Sequence, residues 1–158
     1  MASTVKASTL TVTIKEDIDL NGQPYGSVST LKLANINEVS SRIMNVGTAS
    51  TNVLAFGDAN GAGTYHNTDV KYIRITNLDD TNYGVIRLTG AGGIDQAVRL
   101  DAGGSWVFAA TTKAGDPLVN IGVDDFGDNG GVALDKLTGI AMTSNTAAID
   151  VEVFVATL

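Results

Sequence analysis

His66 is the residue of this chain best suited to acid–base chemistry, because it is the only histidine among 158 residues. A Ser-His-Asp mechanism or a histidine metal site would depend on it alone. The nearest approach to a nucleophile elbow fails, since Ser105 stands in GGSWV with Val107 where the last glycine of G-x-S-x-G belongs. We therefore interpret His66 as a solvent-exposed loop residue, and we predict no catalytic residue and no enzyme activity.

Two acidic, glycine-rich loops carry oxygen ligands of the kind that Ca²⁺ prefers. Their candidate ligands are Asp58 and Asn60 with Gly61, and Asp124, Asp125 and Asp128 with Asn129. Neither loop has the EF-hand spacing or its twelfth-position glutamate. Asp and Asn are also frequent in turns for conformational reasons, so we interpret both loops as ordinary turns and predict no metal.

The glycine-rich segments do not match phosphate-binding loops. Gly57 to Gly63 lacks the lysine of a P-loop, and Gly90 to Gly93 lacks the final glycine of the dinucleotide fingerprint. Turns that need positive φ explain these glycines better, so we predict no cofactor.

Trp106 could stack on a sugar ring, with Tyr65, Tyr72 or Tyr83 beside it. It shares a strand face with Phe108, however, and this spacing favours a position in the core.

Three arginines recur once in each of three successive strand patterns. They are Arg74, Arg87 and Arg99. If those strands pair in order, the arginines would form a ladder with Asp and Glu partners, either inside the domain or at a subunit contact.

The composition points to one all-β domain. Hydrophobic residues make up 44% of the chain, which argues against disorder, while 18 glycines and 6% aromatics favour slim strands and many turns. No cysteine is present, which excludes disulfides and thiolate chemistry and is compatible with a reducing cytoplasm. A net charge of −7 gives no reason to expect nucleic-acid binding. We also find no signal-peptide pattern and no apolar run of about 20 residues, so we predict no membrane association.

The elements that must position these residues are short strands. Four strand patterns follow one another from Val70 to Phe108, and we interpret them as a meander with NLDDTN, GAGG and DAGG at the corners of a sandwich. Val28 to Val46 predicts two strands or one bulged strand, and Val132 to Leu137 is the only helical candidate. The roughly nine or ten strand patterns favour a jelly-roll-like antiparallel β-sandwich of unknown strand order.

The domain division is expected near residue 16. Residues 17–158 would form the single β-sandwich domain. In Met1 to Glu16, Leu10, Val12 and Ile14 alternate with polar residues. The same alternation fits an arm that reaches a neighbouring subunit and a first strand of the domain's own sheet, and both remain open.

The phrases YIRITNLDDTN, VIRL, AVRLDAGGSWVF and AIDVEVFVATL together resemble the small β-sandwich virion proteins of tailed phages, and by size a head decoration, or cement, protein. The resemblance implies a non-enzymatic virion structural protein, made in the host cytoplasm, that binds the major capsid protein on the outer surface of the head. It also implies a homo-oligomer, with a trimer suited to quasi-threefold sites. The alternative is a receptor- or glycan-binding head-fibre or tail module that would use the Gly57 to Asp69 loop.

Overall fold

The regular structure of this protein consists of β-strands throughout its described ranges. A computed structural model describes residues 5–58, 63–90, 95–110, 120–123 and 133–158, with the side chains of 120–123 and 133–135 outside the description. The strands are β1 (Ser8–Lys15), β2 (Ile18–Leu20), β3 (Gln23–Tyr25), β4 (Val28–Ile36), β5 (Glu38–Val46), β6 (Thr51–Gly57), β7 (Thr64–His66), β8 (Val70–Asn77), β9 (Gly84–Gly90), β10 (Asp95–Leu100), β11 (Ser105–Ala109), β12 (Asn120–Val123), β13 (Ala133–Ser144) and β14 (Ile149–Thr157). The prediction of an all-β fold is confirmed.

Two sheets pack face to face. The four-stranded sheet has the order β11-β8-β14-β5, and the six-stranded sheet has the order β10-β9-β13-β6-β7 with β12 on β13. Neighbouring strands are antiparallel, except that β6 and β7 run parallel. The predicted β-sandwich is therefore confirmed.

One hydrophobic core lies between the sheets. The four-stranded sheet contributes alternate residues of β8 and β14, and the six-stranded sheet contributes alternate residues of β9 and β13. These core residues include Ile73, Ile75, Val151, Val153 and Val155 from the first sheet and Ile86, Leu88, Ile140 and Met142 from the second. Alternate side chains of a strand point to the same face, so the period-two pattern of the sequence determines which residues face this core.

The strands of the sandwich pair in a nested order. β5 pairs with β14, β6 with β13, β8 with β11, and β9 with β10. The first strand of this set thus lies beside the last, and each inner pair is enclosed by the next outer pair.

The predicted meander from Val70 to Phe108 is wrong in its pairing. β8 and β11 pair with each other in the four-stranded sheet, while β9 and β10 form a hairpin in the six-stranded sheet. NLDDTN and DAGG carry the chain from one sheet to the other, as expected of sandwich corners. GAGG instead joins two strands of one sheet, and residues 91–94 lie outside the described part.

Strands β1 to β4 form one long antiparallel hairpin. Its two ladders share a register that runs from Leu10 opposite Leu33 to Leu20 opposite Gln23. β1 thus pairs with the chain's own β4, and the expected boundary between residues 16 and 17 falls inside this hairpin. The stretch Val28 to Val46 forms two strands, of which β4 belongs to the hairpin and β5 to the four-stranded sheet.

The helical candidate Val132 to Leu137 is wrong. Val132 lies outside the described residues, and from Ala133 onward the chain belongs to β13, the longest strand at 12 residues. Six residues cannot stabilise a helix against tertiary pairing, and β13 pairs with β6, β9 and β12.

Candidate functional site

His66 ends a short strand and does not lie in an exposed loop, so that expectation is wrong. It is half-buried in β7, which pairs with β6. Its Nδ1 lies 2.6 Å from Thr68 Oγ1 and 3.7 Å from Asp69 Oδ1. The Thr68 hydroxyl also donates to Asp69 at 3.0 Å, so these contacts close the turn after β7. Ser105 lies in the other sheet and shares a 2.8 Å hydrogen bond with Thr76.

Asp58, at the start of the first acidic loop, forms an ion pair with a lysine of the same chain. Asp58 accepts hydrogen bonds from Lys136 Nζ at 3.2 Å and Asn67 Nδ2 at 3.4 Å, and chiefly the Lys136 ammonium lowers the pKa of the Asp58 carboxyl. The other proposed ligands, Asn60, Gly61, Asp124, Asp125, Asp128 and Asn129, lie outside the described residues. Among the described side chains, no group of three or more His, Cys, Asp or Glu residues could hold a metal ion.

Among the described residues, the aromatic side chains do not assemble into one exposed platform. Trp106 and Phe108 stack with ring centroids 6.4 Å apart, and both pack partly buried against the main core, as the core interpretation predicted. Tyr65 packs against the same core, whereas Tyr72 is buried on the outer face of the four-stranded sheet. Tyr83 lies under the guanidinium of Arg99, whose Cζ is 4.1 Å from the centroid of the Tyr83 ring.

The predicted arginine ladder is wrong, because the chain changes sheets after β8. Arg74 lies in the four-stranded sheet, whereas Arg87 and Arg99 lie in the six-stranded sheet. Each arginine has its own carboxylate within the chain. The pairs are Arg74–Glu152 at 2.8 Å, Arg99–Asp101 at 2.6 Å and Arg87–Asp95. The Arg87 guanidinium lowers the pKa of Asp95, but exposed pairs of this kind add little stability.

The two sandwich corners, NLDDTN and DAGG, meet at the buried side-chain amide of Asn77. We name this junction the polar corner. Asn77 Nδ2 donates to the backbone oxygens of Asn82 at 2.8 Å, Asp101 at 3.3 Å and Leu100 at 3.4 Å. Its Oδ1 accepts from Asp79 N at 3.0 Å. The side chain therefore joins NLDDTN to DAGG, and a fully buried Asn is tolerated because its donors and acceptor are used.

Asp79 organises the exposed side of the same corner. Its Oδ1 accepts backbone N–H groups from Asn82 at 2.6 Å and Thr81 at 2.8 Å. These two bonds lower the pKa of the Asp79 carboxyl, because they favour its ionised form.

We expect Asp79→Asn to destabilise the protein at pH 7, with the difference disappearing in acid. A folded-state pKa below the ordinary value means that the Asp79 carboxylate contributes stability above about pH 4, and that this contribution is lost as the pH falls further. Urea unfolding of wild type and variant between pH 7 and pH 2.5 measures the effect. A difference that stays constant across this range would contradict the assignment.

The base of the long hairpin covers part of the sandwich. Leu33 and Ile36 of β4 pack on Tyr72 and Ala156, with Leu10, Val12, Leu31 and Phe154 around them. This second core lies on the outer face of the four-stranded sheet, which explains why Tyr72 is buried although Ile73 faces the opposite way. The predicted half-buried strand β8 is thus covered on both faces over part of its length.

The rest of the hairpin forms an arm, residues 14–29, that extends beyond this contact. Asn21 and Gly22 form its turn with φ of 55° and 76°, as the two-residue turns of β-hairpins require. Gly26 is also required, since a Cβ there would lie 2.3 Å from the backbone oxygen of Glu16. The sequence carries a signal for this hairpin, because Asn21-Gly22 stands between the short strands β2 and β3.

One face of the arm carries four large apolar side chains that are exposed, with polar residues between them. Directly opposed residues share a face, and alternation from the buried Leu10–Leu33 pair places Ile14, Ile18, Leu20 and Tyr25 on that same face. Their exposed fractions are 55%, 55%, 57% and 57%. The Ser27 hydroxyl donates to Glu16 Oε2 at 2.7 Å across the ribbon, and these two residues lie on the same face as the four apolar side chains. The surface that anchors the hairpin base therefore continues, uncovered, along the arm.

A groove lies between β1 and the outer face of the four-stranded sheet. Its volume is about 410 Å³, and Val12, Ile14, Tyr72, Val107 and Phe154 form much of its apolar lining. Arg74 supplies its one charged side chain. In the described part of the chain, β1 pairs with β4 along one edge only, so its other edge faces this groove. The described residues thus place an uncovered, mostly apolar groove beside the arm.

In comparisons with known proteins, no family model matches this chain, and no curated protein matches it. Within the ranges described, no helix is long and apolar enough to cross a membrane.

Proposed function

We propose that this chain is a non-enzymatic structural protein of a phage virion, which binds the outer surface of the head as a decoration or cement protein. The observation that carries the proposal is the arm: a two-sheet sandwich extends a hairpin with four exposed apolar side chains on one face. Large exposed apolar patches commonly mark protein contacts. The proposed partners are the major capsid protein and further copies of this chain, and no nucleic acid or membrane takes part.

The fold is also compatible with this role. The nested pairing of β5 with β14, β6 with β13, β8 with β11 and β9 with β10 is what an eight-stranded ribbon folded into two sheets would produce, and it supports a jelly roll. Jelly rolls are common in viral capsid domains. The phrases that resemble phage virion proteins include both corners joined by Asn77.

The stabilising effect of a cement protein adds up over the contacts that it makes with the capsid. An icosahedral shell presents many equivalent junctions, so a modest contact at each one is repeated over the lattice. A contact that buries about 800 Å² per partner would be a stable interface of standard size. A rigid sandwich loses little conformational entropy on binding, which favours its use as a cement.

The proposed role predicts that the purified chain stabilises heads that lack it. Heads of the parent phage without this protein should bind the chain saturably and should then release DNA at a higher temperature, because each bound copy links neighbouring capsid subunits. The measurement is the temperature of DNA release, followed with a dye that cannot enter intact heads. Heads that already carry the protein serve as the control, and their temperature of DNA release should not change when the chain is added. Saturable binding to the head with an unchanged release temperature would contradict a cementing role.

A further inference from the structure

We propose that the arm docks on a second copy of this chain, in the groove between β1 and the four-stranded sheet. This inference gives the proposed self-association a surface, and it rests on that part of the proposed function. It concerns contact between copies, so it can be tested without any capsid.

The arm needs a partner to be stable. An isolated two-stranded hairpin is marginal in water, and β2 and β3 pair with each other alone among the described strands. Its four exposed apolar side chains present on the order of 400 Å², within the range of about 300–600 Å² for the largest patch of a typical monomer. A patch of this size on an unsupported ribbon is expected to be covered in the assembled state.

The chain's own groove is out of reach of the tip of its arm, residues 18–25. From Ile14 to Leu20 the ribbon extends about 20 Å beyond the hairpin base, at about 3.4 Å per residue. The continuous register from Leu10–Leu33 to Leu20–Gln23 would have to break for the tip to fold back. An arm tip that docks in the groove must therefore come from another copy.

The groove suits that occupant in the apolar character of its lining. This lining includes Val107, which is 43% exposed, and the hairpin base already packs the same kind of face on the same sheet. The free edge of β1 can also accept a strand by backbone hydrogen bonding.

Each copy can take part in two such contacts. A copy that donates an arm and receives one buries both its arm surface and its groove surface, and both areas count toward the roughly 800 Å² per partner of a standard interface. Reciprocal exchange between two copies gives a dimer, and exchange in one direction around a ring gives a larger closed assembly.

Light scattering coupled to size-exclusion chromatography tests the inference. We expect the wild-type chain to exceed its monomer mass of 16.3 kDa at micromolar concentration. The arm variant Ile18→Ser with Leu20→Ser and Tyr25→Ser, and the groove variant Val107→Glu, should each lose association at least about 30-fold, since interface anchors dominate binding. Ile43→Ser is the matched control: Ile43 is 68% exposed on β5 at the opposite edge of the same sheet, outside the arm and the groove.

Mixing the two variants gives the sharper result. The arm variant keeps an intact groove and the groove variant keeps an intact arm, so a mixture should form a 1:1 dimer through one arm-to-groove contact. This dimer should need a higher concentration than wild type but a lower one than either variant alone. Melting temperatures near that of wild type would show that both remain folded. A monomeric wild type would overturn the proposed self-association together with this inference. An assembling wild type with an unaffected arm variant, or a mixture that associates no better than either variant alone, would overturn the arm-to-groove contact alone.

Discussion

Ile75→Ala is expected to lower the free energy of unfolding by about 2–5 kcal/mol. Ile75 is fully buried at the centre of β8, between Trp106 of β11 and Val153 of β14. Truncation removes three carbons and leaves a cavity that two sheets cannot close by local relaxation. The melting temperature should fall by on the order of 10 °C for a domain of this size.

Ile43→Ala is the control for this prediction, because it makes the same chemical change at a site that is 68% exposed. It should alter stability by no more than about 0.5 kcal/mol. Urea unfolding followed by Trp106 fluorescence measures both variants. Equal effects of the two substitutions would show that the four-stranded sheet does not bury Ile75 in the core.

Asn77→Ala is expected to lower the free energy of unfolding by about 2–4 kcal/mol, because it removes the shared hydrogen-bond partner of one buried and three part-buried backbone groups at once. The backbone oxygens of Leu100 and Asp101 lose a donor, and the Asp79 N–H loses its acceptor. Both sandwich corners should loosen together, although 18 residues separate them in the chain. Hydrogen exchange at Gly103 and Gly104 should therefore become faster along with exchange in NLDDTN.

Asn45→Ala tests whether this effect comes from burial. Asn45 Nδ2 donates to Asp150 Oδ1 at 3.0 Å on the exposed surface, where water can replace the lost bond. Its removal should change stability only slightly. If Asn77→Ala is equally mild, or if exchange rises in one corner only, the polar corner does not couple the two connections.

The alternation of apolar residues predicted which side chains would enter the core. Ile73 and Ile75 of β8 and Val151 and Val153 of β14 face the core as their period of two requires. This information is local, since it depends on the geometry of one strand. The prediction of the core-facing side chains is therefore confirmed for these two strands.

Strand partners could not be read from the same pattern. A period of two gives the face of a residue but not the neighbour of its strand, so consecutive strands were assumed to pair in order. The assumption failed between Val70 and Phe108, where the polar corner lets the chain cross between sheets twice. The arginine ladder failed for the same reason, because it depended on that pairing.

The arm shows a second limit of sequence reasoning. Leu10 and Ile14 have the same alternating pattern, yet the first packs on the sandwich and the second is 55% exposed. Their difference lies in what covers them, which is a property of the tertiary structure. The Asn-Gly turn could have predicted the hairpin, but not how far it extends past the sheet.

The copy number of this protein in purified phage heads tests the central claim most directly. Heads separated from tails should be sedimented through a gradient, and the chain should be quantified against the major capsid protein by mass spectrometry. A decoration protein that binds equivalent junctions predicts on the order of hundreds of copies per head. Absence from the heads, or a handful of copies as in a fibre or tail module, would contradict it.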